Sequence, residues 1–209
     1  MSRPLDQTPE RVLDEYLVVL SQAGSTDALD RLAQRRTPRL QRYDARLLDG
    51  TGDGPETARD VVQDTWVGAI RGLRRLRDPA QFPAWIYGIA TRKCADAIRA
   101  STRRRRLGVR TAAFDGTGGQ GSRPMAADHR IDLATGIRGL PPEQRCVVHL
   151  FYGEDLSVEE IASALAIPAG TVKSRLHYAR EALKSYLGSA PATGSGLRVA
   201  AAAQGRETL

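Results

Sequence analysis

The side chains best suited to chemistry in this sequence are arginines, and their grouping points to binding rather than to catalysis. Of the 31 basic residues, 28 are Arg, and the segment Arg103–Arg106 is an unbroken run of four. Arginine suits phosphate groups because its planar guanidinium can donate two parallel hydrogen bonds. The three histidines, His129, His149 and His177, are too scattered along the chain to suggest a shared catalytic site.

Nothing in the sequence resembles a catalytic or metal-binding grouping. There is no nucleophile with a base and an acid at useful spacing, and no glycine-rich phosphate loop. Cys94 and Cys146 cannot build a disulfide framework, and neither has a neighbouring Cys or His at zinc-ligand spacing. We therefore expect a protein that is not an enzyme, with no metal, no cofactor and no small-molecule substrate.

The net charge of +7 is concentrated in one short stretch. Residues 99–130 carry 8 basic and 2 acidic side chains, whereas residues 1–98 carry 15 and 14. A basic run is often only a solvated or disordered segment. Here the run follows a strongly helical pattern, which favours a helix end that faces nucleic acid.

Composition indicates a globular chain of one large or two small domains. It has 209 residues, of which 41% are hydrophobic and 26% are charged. No apolar run reaches the roughly 18 residues of a membrane span, and the N-terminus lacks the pattern of a signal peptide. The sequence predicts a soluble, cytoplasmic protein without membrane insertion.

Hydrophobic periodicity predicts helices and no strand. In the first half we expect helices over 10–21, 27–48, 56–76 and 83–105, with Pro38 kinking or interrupting the second. Residues 108–130 are rich in Gly, Ser and Pro and predict a flexible linker. Short helices are expected over 131–138, 141–152 and 158–165, a longer one from Thr171 to Leu187, and a disordered tail over 188–209. The predicted fold is all-α, with two small helical domains.

The second half predicts a helix-turn-helix. Ser157 and Glu160 form a capping box that begins the first helix, and Ile167–Gly170 is the turn. Seven apolar side chains would pack between the two helices: Val158, Ile161, Ala162, Leu165, Ile167, Val172 and Leu176. The residues left to face a DNA major groove are Thr171, Lys173, Ser174, Arg175, His177, Tyr178 and Arg180. The alternative is a helical hairpin whose charges are merely solvated, with His177 as a bystander.

Two surfaces in the first half could bind partners. Asp60, Gln63 and Asp64 alternate with apolar residues, which predicts a helix with one core face and one acidic-polar docking face. Trp85 and Tyr87 are by default core residues. Alternatively, they line a pocket for an unstacked base, as aromatic side chains do in single-strand binders.

These motifs resemble the extracytoplasmic-function (ECF) group of RNA polymerase sigma factors, in the sigma-70 superfamily. The resemblance rests on Leu140-Pro141, Tyr152-Gly153, Ile161-Ala162, the run from Gly170 to Leu176, and Ala179-Arg180. It rests also on Asp60–Trp66 and Phe82–Ala90, and it covers about residues 12–187. The sequence departs from the family pattern at Arg59, at Arg92 and in the longer loop 49–57. Arg92 stands where the family often has Asn, which leaves the base preference of the −10 contact open.

The resemblance implies a promoter-specific transcription initiation factor that binds core RNA polymerase, helps to melt promoter DNA and is controlled by an anti-sigma factor. Residues 10–107 would be a region 2-like domain, and residues 131–187 a region 4-like domain that binds the −35 element. Asp60, Gln63 and Asp64 would bind polymerase. Contacts to the −10 element and the DNA backbone would come from Arg74, Arg75, Arg77, Trp85, Tyr87, Arg92, Lys93, Arg99, Arg103 and Arg104.

Two other functions fit the helix and charge patterns of the sequence. A stand-alone transcription regulator would bind duplex DNA without polymerase, using the first half to dimerise or to sense a signal. A pure interaction module would use its helices to bind a regulatory protein. The combination of Asp60–Trp66 with Phe82–Ala90 favours the sigma factor.

Overall fold

The computed structural model describes residues 9–49, 54–114 and 133–188. Its α-helices are α1 (Pro9–Gln22), α2 (Thr26–Leu48), α3 (Gly54–Gly72), α4 (Phe82–Phe114), α5 (Leu133–Arg138), α6 (Pro142–Val148), α7 (Val158–Leu165) and α8 (Ala169–Gly188). Two 3₁₀ turns, Leu73–Arg75 and Pro79–Gln81, join α3 to α4, and a π-helical turn, His149–Gly153, follows α6. These described ranges hold no strand, and the predicted all-α class is confirmed. We call α1–α4 the N-terminal unit and α5–α8 the C-terminal unit.

Helix α2 passes through Pro38 without interruption, so of the two expectations for this proline, a kink or an interruption, the second is wrong. The residues before Pro38 are held by tertiary contacts: Arg36 forms a buried ion pair with Asp14 of α1, and the Thr37 hydroxyl accepts a hydrogen bond of 3.0 Å from the Trp66 indole. Such contacts offset the backbone hydrogen bond that a proline removes from a helix.

The connection from α3 to α4 also differs from expectation. Helix α3 ends at Gly72 rather than near Leu76, because the chain tightens into the 3₁₀ turn Leu73–Arg75. Helix α4 continues to Phe114, so residues 108–114 are helical where a linker was predicted. The remainder of that linker, 115–130, lies outside the described residues, as does the predicted tail 188–209 apart from Gly188, which is the last residue of α8.

The predicted capping box of α7 is confirmed. The Glu160 amide donates to the Ser157 hydroxyl over 3.2 Å, and the Ser157 amide donates to the Glu160 carboxylate over 2.7 Å. Ala166 ends the helix in the left-handed conformation, with φ 54°, and the Ile167 amide closes back on the Ala162 carbonyl. This is a Schellman-type stop, although the left-handed position is occupied by alanine instead of the usual glycine.

Both units contribute to one continuous apolar cluster. From the N-terminal unit, Tyr43 and Tyr87 are buried with their rings in edge-to-face contact at 5.1 Å. The Tyr43 hydroxyl lies 2.6 Å from the Thr91 hydroxyl and 3.4 Å from the Cys146 sulfur of the C-terminal unit. The two units therefore pack directly against each other, an arrangement that the sequence left open.

Candidate nucleic-acid interface

Helix α8 has the division of faces that a recognition helix requires. Val172, Leu176 and Ala179 are buried against the rest of the C-terminal unit. The opposite face is exposed and carries Lys173, Ser174, His177, Tyr178 and Arg180. Of the predicted helix-turn-helix core, Ile161 is buried too, and Val158, Ala162, Leu165 and Ile167 are half-buried against the apolar cluster. The helix-turn-helix predicted from the sequence is therefore present.

Two of the predicted contact residues lie at the edge of that exposed face. Arg175 is half-buried, whereas Lys173 and Arg180 on the same helix are exposed. Thr171 is also half-buried, and its amide already donates to the Pro168 carbonyl over 2.9 Å. The helix begins at Ala169, two residues earlier than predicted, so a phosphate would meet the turn before Thr171.

A cluster of exposed arginines, Arg74, Arg75 and Arg77, lies where the chain passes from α3 to α4. Gln22 of α1 anchors this segment: its side-chain amide donates to the Leu73 carbonyl over 2.9 Å and to the Leu76 carbonyl over 2.7 Å. The guanidinium groups therefore project from a segment whose backbone is anchored at two points.

Trp85 and Tyr87 do not lie together on an aromatic surface, which corrects the paired assignment made from the sequence. Tyr87 is only 1% exposed, and its hydroxyl donates a hydrogen bond to the Glu154 carboxylate of the C-terminal unit. In this conformation Tyr87 is a core residue and cannot meet a base. Trp85 is half-buried and lines a small surface cavity with Gln81 and Arg92.

The basic residues along α4 are exposed to different degrees and in part paired. Arg92, Arg103 and Arg104 are exposed, as are Arg99 and its partner Asp96, whose side chains meet at 2.6 Å. Lys93 lies 3.4 Å from Asp64, so a predicted DNA contact pairs with a predicted polymerase contact. Asp64 is exposed and Lys93 is partly exposed, and ion pairs at the surface contribute little to stability.

The predicted docking face of α3 is exposed, as the periodicity requires. Asp60, Gln63 and Asp64 all face solvent, whereas Val61 and Val62 are buried. Ile70 is 55% exposed and extends this acidic-polar face with an apolar side chain.

Several interacting side chains have no signal in the sequence. Arg11 of α1 forms an ion pair of 2.6 Å with Glu160 and donates to the Asp155 carbonyl over 2.8 Å. Glu154 is buried, and burial raises its pKa. Glu160 alone among these residues had a sequence signal, its capping box. The others had none because their contacts join residues about 70 to 150 positions apart.

An open cavity of about 630 Å³ lies between the end of α2 and the C-terminal unit. Arg46, Arg138 and Arg145 line it together with His149. Burial, helped by the charges of Arg46 and Arg145, lowers the pKa of His149 to about 4, so this ring is neutral at pH 7. Among the described residues, no group of three or more His, Cys, Asp or Glu side chains could hold a metal ion. None of the described helices is long and apolar enough to cross a membrane.

Two family models match the chain. The model for sigma-70 region 2 matches residues 32–104, and the model for sigma-70 region 4 matches residues 130–183. The first match includes the candidate α3 and α4 surfaces, and the second includes the helix-turn-helix.

Curated relatives carry the same family name. The chain is 32% identical over 164 residues to the ECF RNA polymerase sigma factor SigE of Mycolicibacterium smegmatis, covering 76% of this chain and 61% of SigE. It is 31% identical over 175 residues to the ECF sigma factor SigM of Mycobacterium tuberculosis, covering 84% and 85% of the two chains. The ECF sigma-E factor of Escherichia coli is 30% identical over 184 residues, covering 83% and 94%.

Solved structures share the fold. CnrH, solved in complex with the cytosolic domain of CnrY, aligns with a TM-score of 0.59 at 26% identity, over 84% of this chain and 97% of CnrH. The sigma factor RpoE, solved with the anti-sigma factor NepR from Bartonella quintana, aligns with a TM-score of 0.54 at 22% identity, over 77% and 97%. With the two region matches and the curated relatives, these findings show that the chain belongs to the ECF family of RNA polymerase sigma factors.

Proposed function

We propose that this chain binds core RNA polymerase and directs it to a specific set of promoters, as a non-catalytic initiation subunit. The observation that carries the proposal is the exposed polar face of α8, which is anchored from behind by Val172, Leu176 and Ala179. Arg and Lys side chains on such a helix can reach base edges and phosphates in the major groove. The match to sigma-70 region 4 supports placing this helix on the −35 element.

The N-terminal unit would supply the contacts with the −10 strand and with polymerase. Exposed Arg74, Arg75 and Arg77, with half-buried Trp85 and exposed Arg92, would hold the melted −10 strand. Melting costs stacking energy of about 1.4 kcal/mol per base-pair step, which bases stacked on an aromatic ring and neutralised phosphates would offset. The face of α3 around Asp64 would dock on polymerase. In this proposal residues 10–107 and 131–187 are the two functional domains.

The experiment that tests the function is binding of the purified chain to core RNA polymerase, followed by run-off transcription from genomic fragments. We expect tight association and new, discrete transcripts. Duplex binding without polymerase association would instead favour the stand-alone regulator. If the chain bound neither polymerase nor duplex DNA, the interaction module would be the remaining function.

The α3 face can be tested with Asp64→Arg. Reversing this exposed charge should weaken association with core polymerase by about tenfold or more, because charge complementarity steers and stabilises docking. Circular dichroism should be unchanged, since the Asp64–Lys93 pair lies at the surface. Asp30→Arg, the same reversal at an exposed position of α2, is the matched control. Equal affinities for the two variants would refute the assignment of this face.

The recognition helix can be tested with Lys173→Ala. The loss of one phosphate or base contact should weaken binding to duplex promoter DNA by about 1–3 kcal/mol and leave polymerase binding intact. Lys184→Ala removes the same charge at an exposed position three turns further along α8. A drop in affinity that is identical for both variants would mean that only net charge matters and that Lys173 is not in the interface.

Control by an anti-sigma factor, acting in the cytoplasm, belongs to the same proposal. It is supported by the fold shared with the sigma factor RpoE, whose structure is a complex with NepR. Co-purification of the tagged chain from its host, with and without cross-linking, would identify such a partner.

A further inference from the structure

The open cavity between the end of α2 and the C-terminal unit carries an excess of positive charge. Its volume of about 630 Å³ is in the range of sites that bind small molecules. Arg46, Arg138 and Arg145 line it, and Asp49 is the one carboxylate among its described lining residues. With His149 neutral at pH 7, the lining has an excess of about two positive charges.

The guanidinium groups of this cavity are only partly satisfied by the protein. The Arg145 Nε is buried and has no hydrogen-bond partner among the described residues. The Arg145 Nη1 makes two long contacts, 3.5 Å to the Asp49 carbonyl and 3.4 Å to the Arg138 carbonyl. Arg138 stands 3.6 Å from the Asp49 carboxylate. Each guanidinium has five donors, so several remain for a ligand.

Arg46 reaches the cavity from the N-terminal unit. It forms no ion pair with a described carboxylate. Its Nη1 lies over the backbone of Gly153, where an added Cβ would stand 3.3 Å away. The Arg46 guanidinium is therefore placed against the π-helical turn, with its charge uncompensated.

His149 responds to the positive charge of the cavity. Burial, together with the charges of Arg46 and Arg145, lowers its pKa to about 4. The same charges that disfavour a proton on this ring favour an anion beside it.

The remaining lining is apolar and aromatic, and part of it is exposed. Leu133 is 51% exposed and Tyr152 is 57% exposed. The Tyr152 ring is held edge-to-face against Phe151, with 4.9 Å between the ring centroids. An aromatic ring fixed in this way can stack on a planar group. The cavity therefore suits a ligand with an anionic end and a planar body.

The charge of the cavity fits a phosphate monoester better than other common anions. At pH 7 a phosphomonoester carries a charge of about −1.5 to −2 and three acceptor oxygens. Several guanidinium groups can bind these oxygens at the same time. A carboxylate or a phosphodiester carries a single charge and would leave part of the excess uncompensated.

We propose that this cavity binds a small organic phosphomonoester with a planar body, of the nucleoside monophosphate class, as a ligand and not as a substrate. Arg46, Arg138 and Arg145 hold the phosphate, and Tyr152 stacks on the body. This site goes beyond the proposed function and does not rest on it. Because both units line the cavity, the ligand binds the folded chain and raises its thermal midpoint.

Isothermal titration calorimetry on the full chain at fixed salt tests the proposal with four probes: AMP, inorganic phosphate, adenosine and the phosphodiester ApA. We expect AMP to bind one site with a dissociation constant on the order of 10 µM. Inorganic phosphate should bind about tenfold more weakly, and adenosine and ApA more weakly still. ApA carries the phosphodiester of a nucleic-acid backbone, so it separates a small ligand from a DNA contact.

Variants of exposed side chains locate the site without disturbing the core. Arg46→Gln and Arg138→Gln should each weaken AMP binding about tenfold, because a charge-assisted hydrogen bond is lost. Arg31→Gln is the matched control, since it removes the same charge from an exposed position about 22 Å away along α2. It should bind AMP like the wild type.

Two further variants separate ligand contacts from a structural role. Asp49→Asn removes the one described carboxylate of the lining and should tighten AMP binding about threefold or more. Tyr152→Ala should weaken the binding of AMP and leave that of inorganic phosphate unchanged, since only the body of the ligand stacks on this ring. Circular dichroism checks that each variant is folded.

The absence of saturable AMP binding by the wild type would overturn the proposal. Equal affinities for AMP and ApA would overturn it too, because the arginines would then be contacts for a nucleic-acid backbone. The same loss of affinity in Arg31→Gln and Arg46→Gln would place AMP elsewhere on the basic surface. Run-off transcription is independent of these titrations, so the failure of either proposal leaves the other standing.

Discussion

The aromatic side chains at the start of α4 lie in different environments although they are close in the sequence. Trp85 and Tyr87 are two residues apart and were given the same two alternatives from the sequence. The fold buries Tyr87 against Tyr43 and Glu154, yet leaves Trp85 half-exposed beside Arg92. Their different environments follow from α7 and the π-helical turn before it, which are distant in sequence.

Asp44 is a buried carboxyl group of the N-terminal unit. It is fully buried on α2, and one carboxylate oxygen accepts a hydrogen bond of 3.2 Å from the Cys94 thiol. The other oxygen has no hydrogen-bond partner among the described residues. Burial raises the pKa of this carboxyl from 3.8 to about 7, so the folded state holds the proton more tightly than the unfolded chain does.

The expected consequence is a loss of stability as the pH rises from about 4 to 7, the window between the two pKa values of Asp44. Asp44→Asn removes that cost while keeping an acceptor for Cys94. We expect the variant to be more stable than the wild type at pH 8, by on the order of 2 kcal/mol, and to lose this advantage at pH 4. Urea unfolding of the wild type and the variant at pH 4 and pH 8 measures this difference in stability. A stability difference independent of pH would show that Asp44 does not titrate in this way.

At the level of elements, helix ends were predicted correctly where the signal lies within a few residues of the end. The capping box of Ser157 and Glu160 gave the start of α7 correctly because both partners are local. Two expectations failed where distant contacts or 3₁₀ geometry intervene: the break at Pro38 and the extension of α3 to Leu76. The end of α4 was also misplaced, because the Gly-, Ser- and Pro-rich composition of residues 108–130 was taken to mark a linker from its first residue.

The turn of the helix-turn-helix offers a stability test of one element. Ala166 has a φ of 54°, where a Cβ is unfavourable and glycine is free of strain. Ala166→Gly should therefore stabilise the protein by about 0.5–1 kcal/mol, measured by urea unfolding.

The control is Ala182→Gly, at an exposed position inside α8, where the same substitution should destabilise by about 0.5–1 kcal/mol. If both variants lost stability equally, the left-handed conformation of Ala166 would not hold in solution.

For the whole molecule, the shared core predicts cooperative unfolding. Both tryptophans, Trp66 and Trp85, lie in the N-terminal unit, so their fluorescence reports on that unit alone. Helical circular dichroism at 222 nm reports on both units. Because apolar side chains of both units form one cluster, the two signals should give the same thermal midpoint for the wild-type chain.

Gly88→Ala should separate these two transitions, since it removes the contact of α4 with α7 without altering either unit internally. Distinct midpoints in the wild type itself would show that the units unfold independently and that the interface contributes little.

The sequence by itself determined the helical class, the helix-turn-helix with its cap, the exposed faces of α3 and α8, and the family. These features depend on residues a few positions apart, whose spacing sets which face of a helix is apolar. Only the tertiary structure decided how the two units meet. Contacts such as Gly88 with Ala164, Arg11 with Glu160 and Tyr87 with Glu154 join residues far apart in the chain. No local pattern encodes these contacts. A flexible segment between two helical units is compatible with both packed and separated arrangements, so the sequence pattern does not choose between them.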